Sequence, residues 1–459
     1  MDTSYTLAKW VVDTSYEDLP PEVVAITKKS ILDTIGVILA ASTLGEQGVK
    51  EAIELVKDGG GKEESTVLGF GGKVPSWMAA FANGVMSHQL DYDDTYDAGP
   101  AHPGAAVLPA TFALAERRGK ISGRELLAAY TLGCEINCRL SLPLTRNPSE
   151  YHWLHPVVFG KFGAAPAPGR LAGLAEKQIV DAFGLVLHQA NVSLECVTTP
   201  GSFMRAIRDG FTAKAAVLSV LLAQKGIEGD KNSLDGKFGL YNNCWRGDSD
   251  PAKVTAELGK RFEWANVSFK PWPCCRYTHA AIEATLNTVK KHDIMPEDVI
   301  EINLVGGGTT SNMSQGDARR KPASSIDAKL SIPYVVGVAV ARRNITLQDF
   351  TPEGLSNPAA LEVAQKVTHR YDQRYDKPGI ESALAEITTR DGMKYSEQVD
   401  FAYGHPNNPI SKEDLLDKFR DCVKYSATPL SQEKIGCLIN MVDNLEQEND
   451  VSQLIQLLA

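Results

Sequence analysis

The sequence predicts a mainly α protein of two domains, a large all-α helical domain at 1–267 plus 404–459 and a smaller α+β domain at 268–403. Three observations carry this reading. Apolar residues recur at helical spacing through roughly the first 225 residues. Strand-like alternation begins only after about Trp264. Helical spacing then returns from SKEDLLDKFRDCVKYSA onward, so the tail is expected to rejoin the first domain. A chain of 459 residues is long enough for two or three domains and a sizeable core.

Taken in order, residues 20–41 (PPEVVAITKKSILDTIGVILAA) open with prolines suited to a first helical turn. Val24, Ile31, Ile35, Ile38 and Leu39 then share a face. PSWMAAFANGVMSHQ follows the turn-rich GFGGKVP, with Ser76 as its expected N-cap. GAAVLPATFALAERRG, SGRELLAAYTLGCEIN, EKQIVDAFGLVLHQAN and GFTAKAAVLSVLLAQKG continue the pattern, and their small residues allow close helix packing. In the second domain VIEINLVGG (299–307) alternates like a half-buried strand, and EITTRDGMKYSEQVDFAYG holds two short strand runs around the hairpin-type Asp391-Gly392. HAAIEATLNTVKKH, AKLSIPYVVGVAVARR and NPAALEVAQKVTHRYD read as helices.

A net charge of −10 argues against nucleic acid or an anionic membrane surface as a partner, because both reward a basic surface. It leaves room for a small anion, which feels only its local pocket. No apolar run reaches membrane-spanning length, and MDTSYTLAKWVVDTSYEDLP lacks a basic region before an apolar stretch. A cytoplasmic protein is therefore expected. The 8 cysteines are scattered; Cys134 and Cys138 lie a helical turn apart, but no second pair completes a zinc site. Buried small side chains are their expected use.

The strip LDYDDTYDAGPAHPG concentrates Asp91, Asp93, Asp94, Thr95, Asp97 and His102 between two helices. Such polar density needs water, partners or a ligand to satisfy it. One reading is a solvated loop with capping aspartates. The functional reading is a carboxylate that orients a histidine for proton transfer. A rival is the DDxxD spacing of Asp93, Asp94 and Asp97, with which Mg-dependent terpenoid synthases hold their cation; it would need three oxygens on one helical face. The second acidic motif and the aromatic lining of those enzymes are missing.

Two further clusters stand out. In FKPWPCCRYTHAAIEA, Pro271 and Pro273 hold Lys270 on an irregular junction, and His279 opens a helix. In GSFMRAIRDGFTAKAA, Arg205 and Arg208 stand just before an expected helix start, where guanidinium groups make a carboxylate cradle. VGGGTTS at 305–311 lacks nucleotide-binding spacing, and no nucleophile elbow, HExxH or CxxC is present. No cofactor and no metal are expected.

At these residues the chain resembles the MmgE/PrpD family, nearly end to end. The likeness rests on HQLDYDDTYDAGPAHPGAAVLPA, FGKFGAAPAPGRLAGL, GFTAKAAVLSVLLAQKGIEGD, FKPWPCCRYTHAAIEA, AKLSIPYVVGVAV and GHPNNPISKEDLLDKFR in this order. The family includes 2-methylcitrate dehydratases, cis-aconitate decarboxylases and iminodisuccinate epimerases. The resemblance implies a helical domain with an α+β lid, a site in the cleft between them, and a homodimer. It assigns catalytic roles to Asp91, His102, Lys270, Tyr334 and His155, the last preferred to His152. Thr95, Arg205, Arg208 and His279 would bind substrate. Arg205 replaces a lysine usual in the family, and Cys275 stands where the decarboxylases tend to carry histidine, which weighs against decarboxylation.

The implied chemistry is proton movement next to a carboxylate of a small di- or tricarboxylate, without metal. His102 would be the acid/base, held by Asp91, with Lys270 and Arg205 on substrate carboxylates. A hydro-lyase of the 2-methylcitrate dehydratase type is the first expectation. An epimerase or decarboxylase is second, and a catalytically silent binding protein third.

Overall fold

In the computed structural model, which describes residues 2–45, 48–99, 101–146, 148–199, 204–376 and 382–459, most of the chain is helical. It divides into two units, Met1–Val267 with Leu415–Ala459, and Ser268–Asp414. Two fragments of the motifs above, Pro100 and residues 201–203, lie outside the described residues. No described helix is long and apolar enough to cross a membrane.

In the first unit the acidic strip is surrounded by α1 (Pro21–Leu44), α2 (Ser76–Ser87), α3 (Pro103–Arg118), α4 (Gly123–Ser141), α5 (His155–Ala164) and α6 (Met204–Gln224). Pro21 occupies the first turn of α1, where its missing N–H costs nothing. Ser76 is the first residue of α2 rather than its cap; Pro75 takes the cap position, and Ser76 gives its N–H to Glu64 at 3.1 Å. Glycine permits a close helix contact. A Cβ on Gly84 of α2 would lie 2.6 Å from the Asp209 carbonyl oxygen, and one on Gly210 of α6 would lie 2.8 Å from that of Phe81. This backbone approach brings the first turns of α6 against the end of α2. Arg205 and Arg208 accordingly lie inside α6, not before it.

The tail returns to the first unit. Gly123 at the start of α4 donates its N–H to the Glu448 carbonyl at 2.8 Å, and Val451 donates to Ile121 at 2.8 Å. Cys134 and Cys138 are buried, unpaired thiols on α4.

The second unit holds β1 (Val299–Gly306), β2 (Val367–Tyr371), β3 (Ala383–Thr389) and β4 (Lys394–Val399) in the order β2-β1-β3-β4. β1 and β2 run parallel; the other two pairings are antiparallel. The hairpin falls where Asp391-Gly392 puts it, with Gly392 at φ 84°. α7 (His279–Lys291), α8 (Ile332–Arg342) and α9 (Pro358–Gln365) supply Ala280, Ala284, Ile332, Val336 and Val363 to a core shared with Ile302, Leu304, Ala385 and Ile387 of the sheet. The pattern NPAALEVAQKVTHRYD does not remain helical throughout. The helix ends at Gln365 and VTHRY becomes β2, because buried Val367 pairs with Ile302 and the β-branched pair Val367-Thr368 suits a strand.

The second unit runs to Asp414 rather than ending at 403. Hydrogen bonds hold the extra segment: Phe269 donates to Gly404 at 3.0 Å, Tyr403 donates to Glu283 at 2.5 Å, and Arg276 donates to the Tyr403 carbonyl at 3.0 Å. Gly404 sits at φ 89° with its Cα face against the Phe269 carbonyl, so no side chain fits there.

Candidate active site

Among the described residues from His88 to His102 no helix forms, and the one regular element is the two-residue strand Thr95–Tyr96. Asp93, Asp94 and Asp97 therefore share no helical face, and the magnesium arrangement expected of a terpenoid synthase is not formed. Each aspartate has its own task. Asp94 accepts the Gly104 N–H at 2.8 Å and the Ser30 hydroxyl, so its carboxylate caps the start of α3 from a distance in sequence. Gly104 has to be glycine: a Cβ there would lie 2.4 Å from Asp94 Oδ2 and 2.6 Å from Thr34 Oγ1.

Burial, and then the neighbouring Asp93 charge, push the Asp94 carboxyl up to about 7 against the hydrogen bonds from Ser30 and Gly104. A folded-state pKa raised above the unfolded value contributes stability below pH 4 that is lost as pH rises through 7. Asp94→Asn keeps the acceptor for Gly104 and never ionises. Its stability relative to wild type is expected to rise between pH 4 and pH 8 by on the order of 4 kcal/mol, read by urea denaturation at each pH; parallel pH curves for the two proteins would contradict this.

Asp93 is the carboxylate at the histidines. Its Oδ1 accepts from His88 Nδ1 at 2.8 Å, and its Oδ2 lies 3.0 Å from His102 Nδ1. The Asp94 carbonyl accepts from that same His102 nitrogen at 3.2 Å. His102 Nδ1 thus donates its proton to the Asp94 carbonyl beside the Asp93 charge, which makes Nε2 the nitrogen available for exchange. Sequence reasoning gave this supporting role to Asp91. Instead Asp91, turned to φ 52°, pairs with Arg205 at 3.1 Å. Thr95 Oγ1 is buried without a hydrogen-bond partner among the described residues, an arrangement that a substrate oxygen would relieve.

His155 opens α5, and its enclosed Nε2 has no hydrogen-bond partner among the described residues. Burial, then the charges of Arg208 and His102, push it down to about 4, so it is neutral at pH 7. His152 is exposed at φ 61°, which leaves His155 as the histidine near His102 and Arg208. Arg208 reaches His88 Nε2 at 2.7 Å. A cavity of about 620 Å³ beside it is lined by Lys161, Gln189, Cys196, Met204, Arg208 and Phe211 among others. Its lining includes neither His102 nor Thr95, so it adjoins the proton-transfer group rather than containing it. Lys161 in this wall is pushed down to about 8 by burial.

In the second unit Lys270 is fully buried on the irregular stretch before the short helix Arg276–Thr278. Two expected site residues take core roles there. Tyr334 is fully buried, and its hydroxyl faces the carbonyls of Asp349 at 2.5 Å and Gly354 at 3.1 Å. A hydroxyl spent on backbone acceptors has no proton to lend a substrate. Tyr334→Phe is expected to cost about 1 kcal/mol of stability and leave turnover within twofold; a hundredfold loss of turnover in a folded variant would return Tyr334 to the catalytic set. His279 is also fully buried. Its Nδ1 accepts from Arg276 at 3.3 Å, so Nε2 carries the proton and donates to the Cys274 carbonyl at 3.2 Å. Both ring nitrogens thus have partners within the second unit.

Among the described residues, one group of three metal-capable side chains has donor atoms within 4.8 Å of one another: His88, Asp93 and His102. They fit a cation poorly. The His88 Nδ1–H is donated to Asp93 and the His102 Nδ1–H to the Asp94 carbonyl, and the Arg208 cation lies against His88. His88 and Asp93 are the functional candidates that sequence reasoning missed or misplaced. The only signal was their presence in the strip, since the pairing across it is tertiary.

The sequence matches the models of a known family. The MmgE/PrpD N-terminal domain model matches residues 5–252, and the MmgE/PrpD C-terminal domain model matches residues 272–446. The chain belongs to the MmgE/PrpD family. It is 30% identical to a cis-aconitate decarboxylase of Homo sapiens over 96% of this chain and 91% of that protein. It is 26% identical to a cis-aconitate decarboxylase of Aspergillus terreus over 98% and 95%. A mitochondrial 2-methylcitrate dehydratase of Yarrowia lipolytica is 24% identical over 77% and 72%.

Proposed function

We propose that this protein is a carboxylate lyase that removes carbon dioxide from cis-aconitate or a close unsaturated tricarboxylate, with His102 as its proton-transfer group. One observation carries the choice. The cis-aconitate decarboxylases match at 25–30% identity over 94–99% of the chain, whereas the proteins named for 2-methylcitrate dehydration match at 24% over 77–81%. This reverses the order expected from the sequence alone.

The residues of the first unit supply what the reaction needs. As a carboxylate leaves as carbon dioxide, its bonding pair forms a new alkene and the old alkene takes a proton at the carbon beside a second carboxylate. His102, with Nδ1–H facing Asp93 and the Asp94 carbonyl, would deliver that proton from Nε2, and the Asp93 charge would stabilise the imidazolium that carries it. Arg205 uses one nitrogen on Asp91, and the rest of its fork can grip a carboxylate. Thr95 offers its buried hydroxyl to the same substrate. Lys270 keeps, from its motif, the role of a carboxylate-binding cation. A homodimer belongs to this reading, as the family resemblance implies.

Dehydration is the second reading, favoured by Cys275 in place of a histidine. A panel of di- and tricarboxylates incubated with the purified protein and followed by NMR separates the cases. Carbon dioxide with a five-carbon unsaturated dicarboxylate supports the proposal. Water loss from 2-methylcitrate supports dehydration, and solvent exchange without net change supports an epimerase. Inactivity on every compound would favour a silent binding protein.

A further inference from the structure

We infer that Arg208 and His88 are positioning residues that fix, through the Asp93 carboxylate, which nitrogen of His102 carries its proton. The inference rests on reading His102 as the acid/base, but the proton arrangement itself is a property of the free protein.

Donors and acceptors set the order of the protons. Arginine has five N–H donors, no acceptor, and keeps its charge in proteins. Its Nη2 lies 2.7 Å from His88 Nε2, so that nitrogen has to accept. The one proton of a neutral His88 is therefore on Nδ1, from which it is donated to Asp93 Oδ1 at 2.8 Å. With Oδ1 occupied, Asp93 turns Oδ2 to His102 Nδ1, 3.0 Å away, and the Asp94 carbonyl meets the same nitrogen. The His102 Nδ1–H is donated to the Asp94 carbonyl, and the Asp93 charge 3.0 Å away holds the proton on that nitrogen, so Nε2 of His102 is left to exchange. Were His88 reversed, its bare Nδ1 would face Asp93 Oδ1 as acceptor against acceptor, and the carboxylate would have to swing away from His102.

The surroundings hold this order. His88 is 3% exposed and Asp93 fully buried, so neither can turn to water for a replacement partner. Burial first, then Arg208 and the neighbouring His102, push His88 down to about 4 in spite of the Asp93 charge. The two imidazole centroids are 4.4 Å apart, too close for both rings to be charged cheaply, and His88 is the one kept neutral. Arg208 is in turn steadied by Asp209, whose Oδ2 accepts from Nε at 3.2 Å, on the stretch of α6 that Gly84 and Gly210 press against α2. The charged and titratable groups facing His88 are thus Asp93, Arg208 and His102.

The test is ¹⁵N NMR of the full chain labelled at histidine, with His88 and His102 assigned from His88→Asn and His102→Gln. At pH 6.5 the wild type is expected to show His88 as the neutral Nδ1–H form. Arg208→Met removes the donor while keeping length. It should raise the His88 protonation midpoint by at least one pH unit and mix the His102 tautomers, and Arg208→Lys, which restores a donor, should reverse both. On any substrate that turns over, Arg208→Met should lower kcat at least tenfold with KM within threefold. A wild-type His88 with its proton on Nε2, or a His102 tautomer unchanged in Arg208→Met, would overturn the inference, as would a rise in KM alone, which marks Arg208 as a substrate cation. The imidazole signals need no turnover. Inactivity in every variant would therefore count against the proposed reaction, while the tautomers still decide this inference.

Discussion

Replacing His102 with alanine is expected to lower turnover about 10²–10⁴-fold, the range that a positioned general acid or base contributes, with the fold intact. The structure explains why the two effects separate. His102 occupies the cap position of α3, yet its side chain makes no capping bond; the Asp94 carboxylate serves Gly104 instead. Removing the imidazole therefore takes away the exchangeable Nε2 proton without uncapping the helix. Its side chain is only 16% exposed, so the loss also leaves Asp93 short of one partner, at a modest cost in stability. Steady-state kinetics with a matched thermal unfolding curve checks both halves. Undiminished turnover would remove His102 from the chemistry.

Lys418→Met is expected to cost 3–5 kcal/mol of stability, about the range for breaking a buried ion pair by removing one partner. Lys418 lies on α10 (Lys412–Val423), and its Nζ is 2.6 Å from Asp33 Oδ1, with side-chain exposures of 3% and 0%. The same Nζ donates to the Tyr92 carbonyl at 2.6 Å and sits 3.9 Å from the Tyr92 ring centre. The variant strands the Asp33 charge in α1 and withdraws a support from beneath the acidic strip. Asp33 also adds to the charge that raises Asp94, so the damage reaches the cap of α3. Urea unfolding measures the loss, and the double variant Lys418→Met, Asp33→Leu should recover most of it. A single-variant loss below 1 kcal/mol would show that the pair is not a structural anchor.

These two residues also mark how far the sequence could be read. Helical spacing gave α1 to α4 and α6, because an apolar stripe is a local property of the chain. The hairpin at Asp391-Gly392 was legible for the same reason. VTHRY was not: it follows a helix without a break, and only its pairing with Ile302 and its neighbours makes it a strand. His102 stood out because it is conspicuous in its strip. The division of labour among Asp91, Asp93 and Asp94 did not, since three carboxylates a residue or two apart differ only in what the rest of the fold brings to each. Arg205 comes to Asp91 and Ser30 to Asp94 from distant segments. Tyr334 and His279 looked functional as polar residues in known motifs, and their buried backbone partners became visible only in three dimensions. Lys418 gave no signal at all, being one of two lysines in an amphipathic tail helix.

Decarboxylation through His102 is tested by following cis-aconitate with the protein in deuterated water by NMR. Carbon dioxide release is expected, with a five-carbon dicarboxylate bearing one deuterium at the carbon beside a retained carboxylate, formed at least a hundredfold more slowly by His102→Ala. Unchanged cis-aconitate, or a product formed at the same rate without His102, would contradict it.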